Sequence, residues 1–208
     1  MSNAHNGIRL GVLASGRGSN FKALLEKERQ GYFEKARISC LITNNPRAGA
    51  IDIAKEAQIP VHIAIPREFP DKESYEKEIV RLLESYHVEW VVLAGYMRLV
   101  GHTLLERYPW RILNIHPALL PSFPGLHAQR QALEYGVKIS GCTVHFVDAG
   151  MDTGPIIVQR AVPVLDSDTE ETLSARILEQ EHIAYAEAIK AVTERAWKIE
   201  GRVVKFAN

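Results

Sequence analysis

Cysteine is nearly absent from this sequence: Cys40 and Cys142 are its only two, and neither belongs to a C-x-x-C pair. That argues against a disulfide scaffold and against thiolate metal binding. An excess of one charge is lacking too. Lys+Arg and Asp+Glu both number 25, for a formal net charge of +0, so no overall field draws the chain to nucleic acid or to an anionic membrane. No apolar run approaches the roughly 20 residues that span a bilayer. The polar start Met1–Gly7 has no apolar stretch of the kind that marks a secretion signal. What remains is a reduced, cytoplasmic protein that holds small-molecule ligands through local arrangements in its loops.

The 208 residues, 46% hydrophobic and 24% charged, fit a single domain able to bury a sizeable core. In the first half, strand-like runs alternate with helical patterns: strands at 8–14, 38–43, 61–65, 90–94 and 111–116, and helices from Asn20, at 48–58, from Asp71 to Tyr86 and at 103–108. Strands separated by helices imply crossovers and a mostly parallel sheet. In the second half, 139–147 and 155–164 read as long antiparallel strands. The longest helix opens at Asp168 with Glu171 as its capping-box partner, and a hairpin closes the chain. The expected class is α/β: a Rossmann-like open sheet, parallel early and antiparallel late, with helices on both faces. Residues 8–100 would form a phosphate-binding lobe and 101–208 a catalytic one.

Gly16-Arg17-Gly18-Ser19-Asn20 lies between the first strand and the first helix. Exposed N–H groups and the positive end of the helix dipole can hold a phosphate there. The alternative is a tight turn with Ser19 or Asn20 as N-cap. A dinucleotide loop fits poorly. Phe21 stands where the third glycine belongs, and Asn44-Asn45 end the second strand instead of an acidic residue.

Alternation along 111–116 puts Leu113 and Ile115 on one face, and Asn114 and His116 on the other, at the carboxyl end of a buried strand. Asp148 and Asp152 lie in the loop between the two long strands. Glu181 either falls inside the apolar stripe of the last helix, where a carboxylate needs a ligand amine or a protein donor, or lies at a solvated boundary where that stripe ends early. No His-x-x-x-His helix or tight His/Asp cluster appears, so no metal is expected.

Together these blocks resemble the phosphoribosylglycinamide formyltransferase family of folate-dependent transferases: Gly16-Arg17-Gly18-Ser19-Asn20, Leu93–Arg98, Leu113-Asn114-Ile115-His116-Pro117, Pro124-Gly125-Leu126-His127 and Gly141–Gly154. The resemblance implies 10-formyltetrahydrofolate as co-substrate and glycinamide ribonucleotide as acceptor. It implies that Asn114, His116 and Asp152 are catalytic. Gly18, Ser19 and Asn20 would hold the phosphate, with Glu181 at the sugar or amine end. Met97, Arg98, Leu99 and Val100 would line the pterin pocket, with Asp148 across from them. Lys72 would sit near the folate tail, where the family often has arginine, and Gln129 replaces a common histidine. The family's Asn-x-His-Pro chemistry also serves formyl-folate hydrolases and transferases for other amines, and a non-catalytic phosphate-binding module would explain the glycine turn alone. The expected state is a monomer or homodimer.

Overall fold

The computed structural model describes residues 7–207; Met1–Asn6, read above as part of a start without a secretion signal, lie outside the described residues. Among the described residues, nine strands form one sheet in the order β3-β2-β1-β4-β5-β6-β7-β9-β8. In chain order the elements begin with β1 (Ile8–Ala14), α1 (Ser19–Arg29), β2 (Ala36–Thr43), α2 (Ala50–Glu56), β3 (Val61–Ile63) and α3 (Lys72–Ser85). β4 (Trp90–Leu93), α4 (His102–Arg107), β5 (Ile112–His116), α5 (Ala128–Tyr135) and β6 (Ile139–Phe146) follow. β7 (Ile156–Pro163), α6 (Glu170–Glu194), β8 (Trp197–Glu200) and β9 (Val203–Phe206) complete the chain. β1 to β5 pair in parallel, and β6 runs antiparallel between β5 and β7.

Both faces of the parallel half are covered, which is why its strands are largely apolar. Leu10, Val12 and Ala14 of β1 and Trp90, Val92 and Ala94 in and after β4 face the core shared with α1, α2 and α6. Leu13, Val91 and Leu93 point the other way, toward Tyr75, Ile79 and Leu83 of α3. Gly11 lies on that second face, because a Cβ there would sit 2.4 Å from Leu83 Cδ2. Each core side chain of this size contributes about 1.5–3 kcal/mol by leaving water.

Most expected elements form, with shifted ends. β3 stops at Ile63, and Pro66–Glu68 make a 3-10 turn. The N-cap of α6 is Thr169, not Asp168, and Thr172 instead of Glu171 completes the box. Asp168 accepts from Leu165 N–H and Arg176, so its carboxylate belongs to a neighbouring contact. α5 is an addition: it starts after His127 in a left-handed conformation and ends at Gly136, also left-handed.

Candidate active site

β1, β4 and β5 are adjacent and parallel, so the loops after Ala14, Leu93 and His116 open on one edge of the sheet. In open α/β sheets, ligand-binding crevices form at such strand ends. Tyr185 ties the edge together from α6: its buried hydroxyl lies 2.8 Å from the Leu93 carbonyl and 3.0 Å from that of Leu113.

The glycine turn meets α1 directly. Gly18 is the N-cap, with φ 82 and no side-chain cap. A Cβ there would lie 2.8 Å from both Ala50 Cα and Cβ, so the position admits only glycine without rearrangement. Neither Ser19 nor Asn20 caps the helix, and the first-turn N–H groups have no side-chain acceptor. Asn20 instead donates through Nδ2 to Glu181 Oε2 at 2.8 Å. Glu181 is buried on the packing face and not at a solvated boundary, and its donor is a protein group. Burial pushes its carboxyl up and the Asn20 amide opposes this, with a net rise. Asn20 Oδ1 is buried and unpartnered.

Asn114, His116 and Asp152 come together. Asp152 Oδ2 lies 3.4 Å from His116 Nδ1 and accepts the Gly125 N–H at 2.8 Å. Asp152 Oδ1 is 3.4 Å from Asn114 Nδ2. The loop reaches this geometry because Asp152 adopts φ 55 and because Gly154 has no side chain; a Cβ there would fall 1.7 Å from the Phe146 carbonyl. Asp148 shapes the same loop, accepting from Gly150 N–H and Thr153 Oγ1.

His145 is the residue that motif reading misses. It is the cross-strand partner of Asn114, with Nε2 3.3 Å from Asn114 Nδ2 and 3.6 Å from Asp152 Oδ1. Its Nδ1 is 2.8 Å from the Phe146 carbonyl, which assigns the proton there and leaves Nε2 free to accept from Asn114. The available signal was an ionisable side chain within the strand run 139–146.

The His116 ring is buried, and its Nε2 lies 2.7 Å from the Phe123 carbonyl, so that nitrogen carries the proton. Burial pulls the imidazole below its usual 6.5; the Asp152 carboxylate and the Phe123 carbonyl oppose this without cancelling it. Burial pushes the Asp152 carboxyl up, but His145, the Gly125 N–H and His116 outweigh it and hold the group below the carboxylate norm. The ring is therefore neutral near pH 7 beside an anion able to stabilise its cation.

Met97 and Leu99 are 72% and 57% exposed after β4, and Leu126 and Met151 are exposed on the loops that meet at Gly125 and Asp152. Large apolar side chains left in water on loops beside a polar cluster are suited to an aromatic ligand. Val100 is buried, Arg98 lies over the Tyr75 ring, and Lys72 is half exposed at the start of α3.

The open α/β sheet gathers an amide, two imidazoles and a carboxylate at its strand ends. A family model described as Formyl transferase matches residues 8–189, and the chain belongs to that family. Its branch is that of the phosphoribosylglycinamide formyltransferases. The Bacillus subtilis phosphoribosylglycinamide formyltransferase is 44% identical over 88% of this chain and 93% of its own length. The crystal structure of glycinamide ribonucleotide transformylase 1 from Symbiobacterium toebii superposes with a TM-score of 0.95 at 48% identity, covering 98% of this chain and 95% of that one. A trifunctional purine biosynthetic protein adenosine-3 from Drosophila pseudoobscura pseudoobscura is 44% identical over 96% of this chain, which spans only 15% of that relative's length.

Proposed function

We propose that the chain transfers the formyl group of 10-formyltetrahydrofolate to the amine of glycinamide ribonucleotide, giving formylglycinamide ribonucleotide and tetrahydrofolate in purine biosynthesis. The observation that carries this reading is the convergence of Asn114, His116 and Asp152 at the open edge of the sheet. Gly18, Ser19 and Asn20 hold the phosphate with backbone and hydroxyl donors, and Glu181 fixes the sugar or amine end. Met97–Val100 and the Asp148 loop flank the pterin, with Lys72 toward the anionic tail.

The amine nitrogen bonds to the formyl carbon, the carbonyl oxygen becomes an oxyanion, and the carbon–N10 bond then breaks. The amine loses a proton and N10 gains one. His116 has its proton on Nε2 even when neutral, so it can leave the Phe123 carbonyl and donate to the oxyanion without first being charged. Asn114 holds its two acceptors at 3.3 and 3.4 Å, long bonds that are cheaply exchanged for the same oxyanion. One such preorganised donor is worth about 3–4 kcal/mol in the transition state. Asp152 faces Nδ1 and stabilises the imidazolium when the ring takes up a proton, or orients a water that relays it.

All these groups belong to this chain, and the reading holds for a monomer or a homodimer. No helix among the described residues is long and apolar enough to cross a membrane. Cys40 and Cys142 are free, buried thiols pushed up to about 12 by burial, which fits work in a reducing cytoplasm. The test is to incubate the protein with glycinamide ribonucleotide and formyl-labelled folate, then weigh the products. Label in the ribonucleotide supports the reading; label released only as formate assigns a hydrolase instead.

A further inference from the structure

The stretch from Ala94 to Gly101 contains Met97–Val100, yet it has no helix or strand of its own. Its path is imposed by contacts from elsewhere. Ser15 donates its N–H to the Gly95 carbonyl at 3.1 Å and accepts the Met97 N–H at 2.9 Å through Oγ. Tyr75 and Tyr96 meet through their hydroxyls at 2.8 Å. The far end is held by Glu76. Its Oε1 accepts the Gly101 N–H at 2.6 Å, and its Oε2 lies 3.4 Å from the Leu104 N–H.

Glu76 is only 3% exposed, and its nearest cation, Lys72 Nζ, is 4.0 Å away and half exposed. A carboxylate so buried depends on its N–H donors, and charge-assisted bonds of this kind are strong. Gly101 is shaped to the contact: a Cβ there would lie 2.7 and 2.8 Å from the two carboxylate oxygens. A local cap for α4 would need only a serine or aspartate at 101. Here the acceptor comes from α3, 25 residues away, so capping α4 also fixes the end of the preceding loop against α3.

We propose that Glu76 is a positioning residue for the formyl-folate pocket, setting the path of Met97–Val100 through the Gly101 and Leu104 N–H groups. This rests on the reading of that segment as pterin-lining. It predicts a defect centred on formyl-folate, because Glu76 holds the Gly101 end of the segment, while the phosphate turn touches it only at the other end, through Ser15.

The test compares Glu76→Gln, Glu76→Ala and Glu76→Asp with Lys77→Ala, a change on the exposed side of the same helix. In Glu76→Gln the KM for formyl-folate should rise roughly tenfold, equivalent to about 1.4 kcal/mol. Its kcat and its KM for the ribonucleotide should stay within about twofold, well under that step. Glu76→Asp should recover part of the loss, and amide exchange at Gly101 and Leu104 should quicken in the Gln and Ala variants. A parallel fall in kcat and in both substrate affinities would make Glu76 a general scaffold residue and overturn the proposal. So would loosened exchange with an unchanged folate KM, or unchanged exchange in Glu76→Gln, a readout that needs no turnover. A wild-type protein that bound no formyl-folate would instead overturn the functional reading.

Discussion

The Nδ1 of His116 lies 3.4 Å from Asp152 Oδ2, while its Nε2 is held 2.7 Å from the Phe123 carbonyl. The two nitrogens thus serve different purposes: one already carries the donated proton, and the other faces the anion that favours a second. Because burial lowers the ring's pKa and Asp152 partly restores it, Asp152→Asn should lower it further. The acid limb of kcat/KM should move to lower pH in that variant, and turnover should fall by about 10²–10⁴. A pH–rate profile whose acid limb stays in place or moves up would contradict this coupling.

Stability should respond to the same groups. A histidine with a lowered folded pKa binds fewer protons folded than unfolded, so its contribution is present above the unfolded value, about 6.5, and is lost as pH falls toward the folded one. Asp152, also lowered, acts in the same direction: its contribution is present above the unfolded value and is lost as pH falls through the folded one. The urea midpoint of the wild type should therefore drop between pH 7 and 5.5 more than that of His116→Gln. Equal drops would show that His116 is not held neutral by the fold.

Glu181 should behave oppositely. Its raised folded pKa means the native state keeps a proton that the unfolded state has released, so stability falls as pH rises from about 4.5 toward the folded value. Glu181→Gln removes that dependence, should match or exceed wild-type stability near pH 7, and should raise the KM for the ribonucleotide. A less stable variant at pH 7 would mean that the carboxylate has a donor stronger than Asn20.

Tyr185 holds the ends of β4 and β5 with one buried hydroxyl. Tyr185→Phe should lose about 1–3 kcal/mol, the cost of leaving buried acceptors without their donor. Chemical denaturation reads this directly; an unchanged midpoint would show that the carbonyls are satisfied without it.

Gly154→Ala would push a methyl into the Phe146 carbonyl and displace the Asp152 loop. Misplacement of about 1 Å costs about 10²-fold in rate, so kcat should fall by that order. Wild-type turnover would show that the loop can shift without moving the carboxylate.

Much of this was legible in sequence because the parallel strands are short, apolar and separated by patterned helices. Asn114 and His116 were visible because a strand repeats every second residue, and both indeed lie opposite Leu113 and Ile115. His145 was not, because its pairing with Asn114 depends on how β6 registers against β5, a long-range fact. The α5 helix hid behind a run of prolines and glycine, has no side-chain cap, and buries only the small residues Ala128 and Ala132. The displaced cap of α6 reflects local competition: Asp168 is taken by Arg176, leaving Thr169 to cap the start of the helix.

The most direct test of the central claim follows the absorbance change on deformylation of 10-formyltetrahydrofolate, with and without glycinamide ribonucleotide, for the wild type and His116→Ala. The account predicts turnover that requires the ribonucleotide and falls by orders of magnitude in the variant, with substrate affinities nearly unchanged. Deformylation at full rate without the ribonucleotide, or undiminished turnover in His116→Ala, would contradict it.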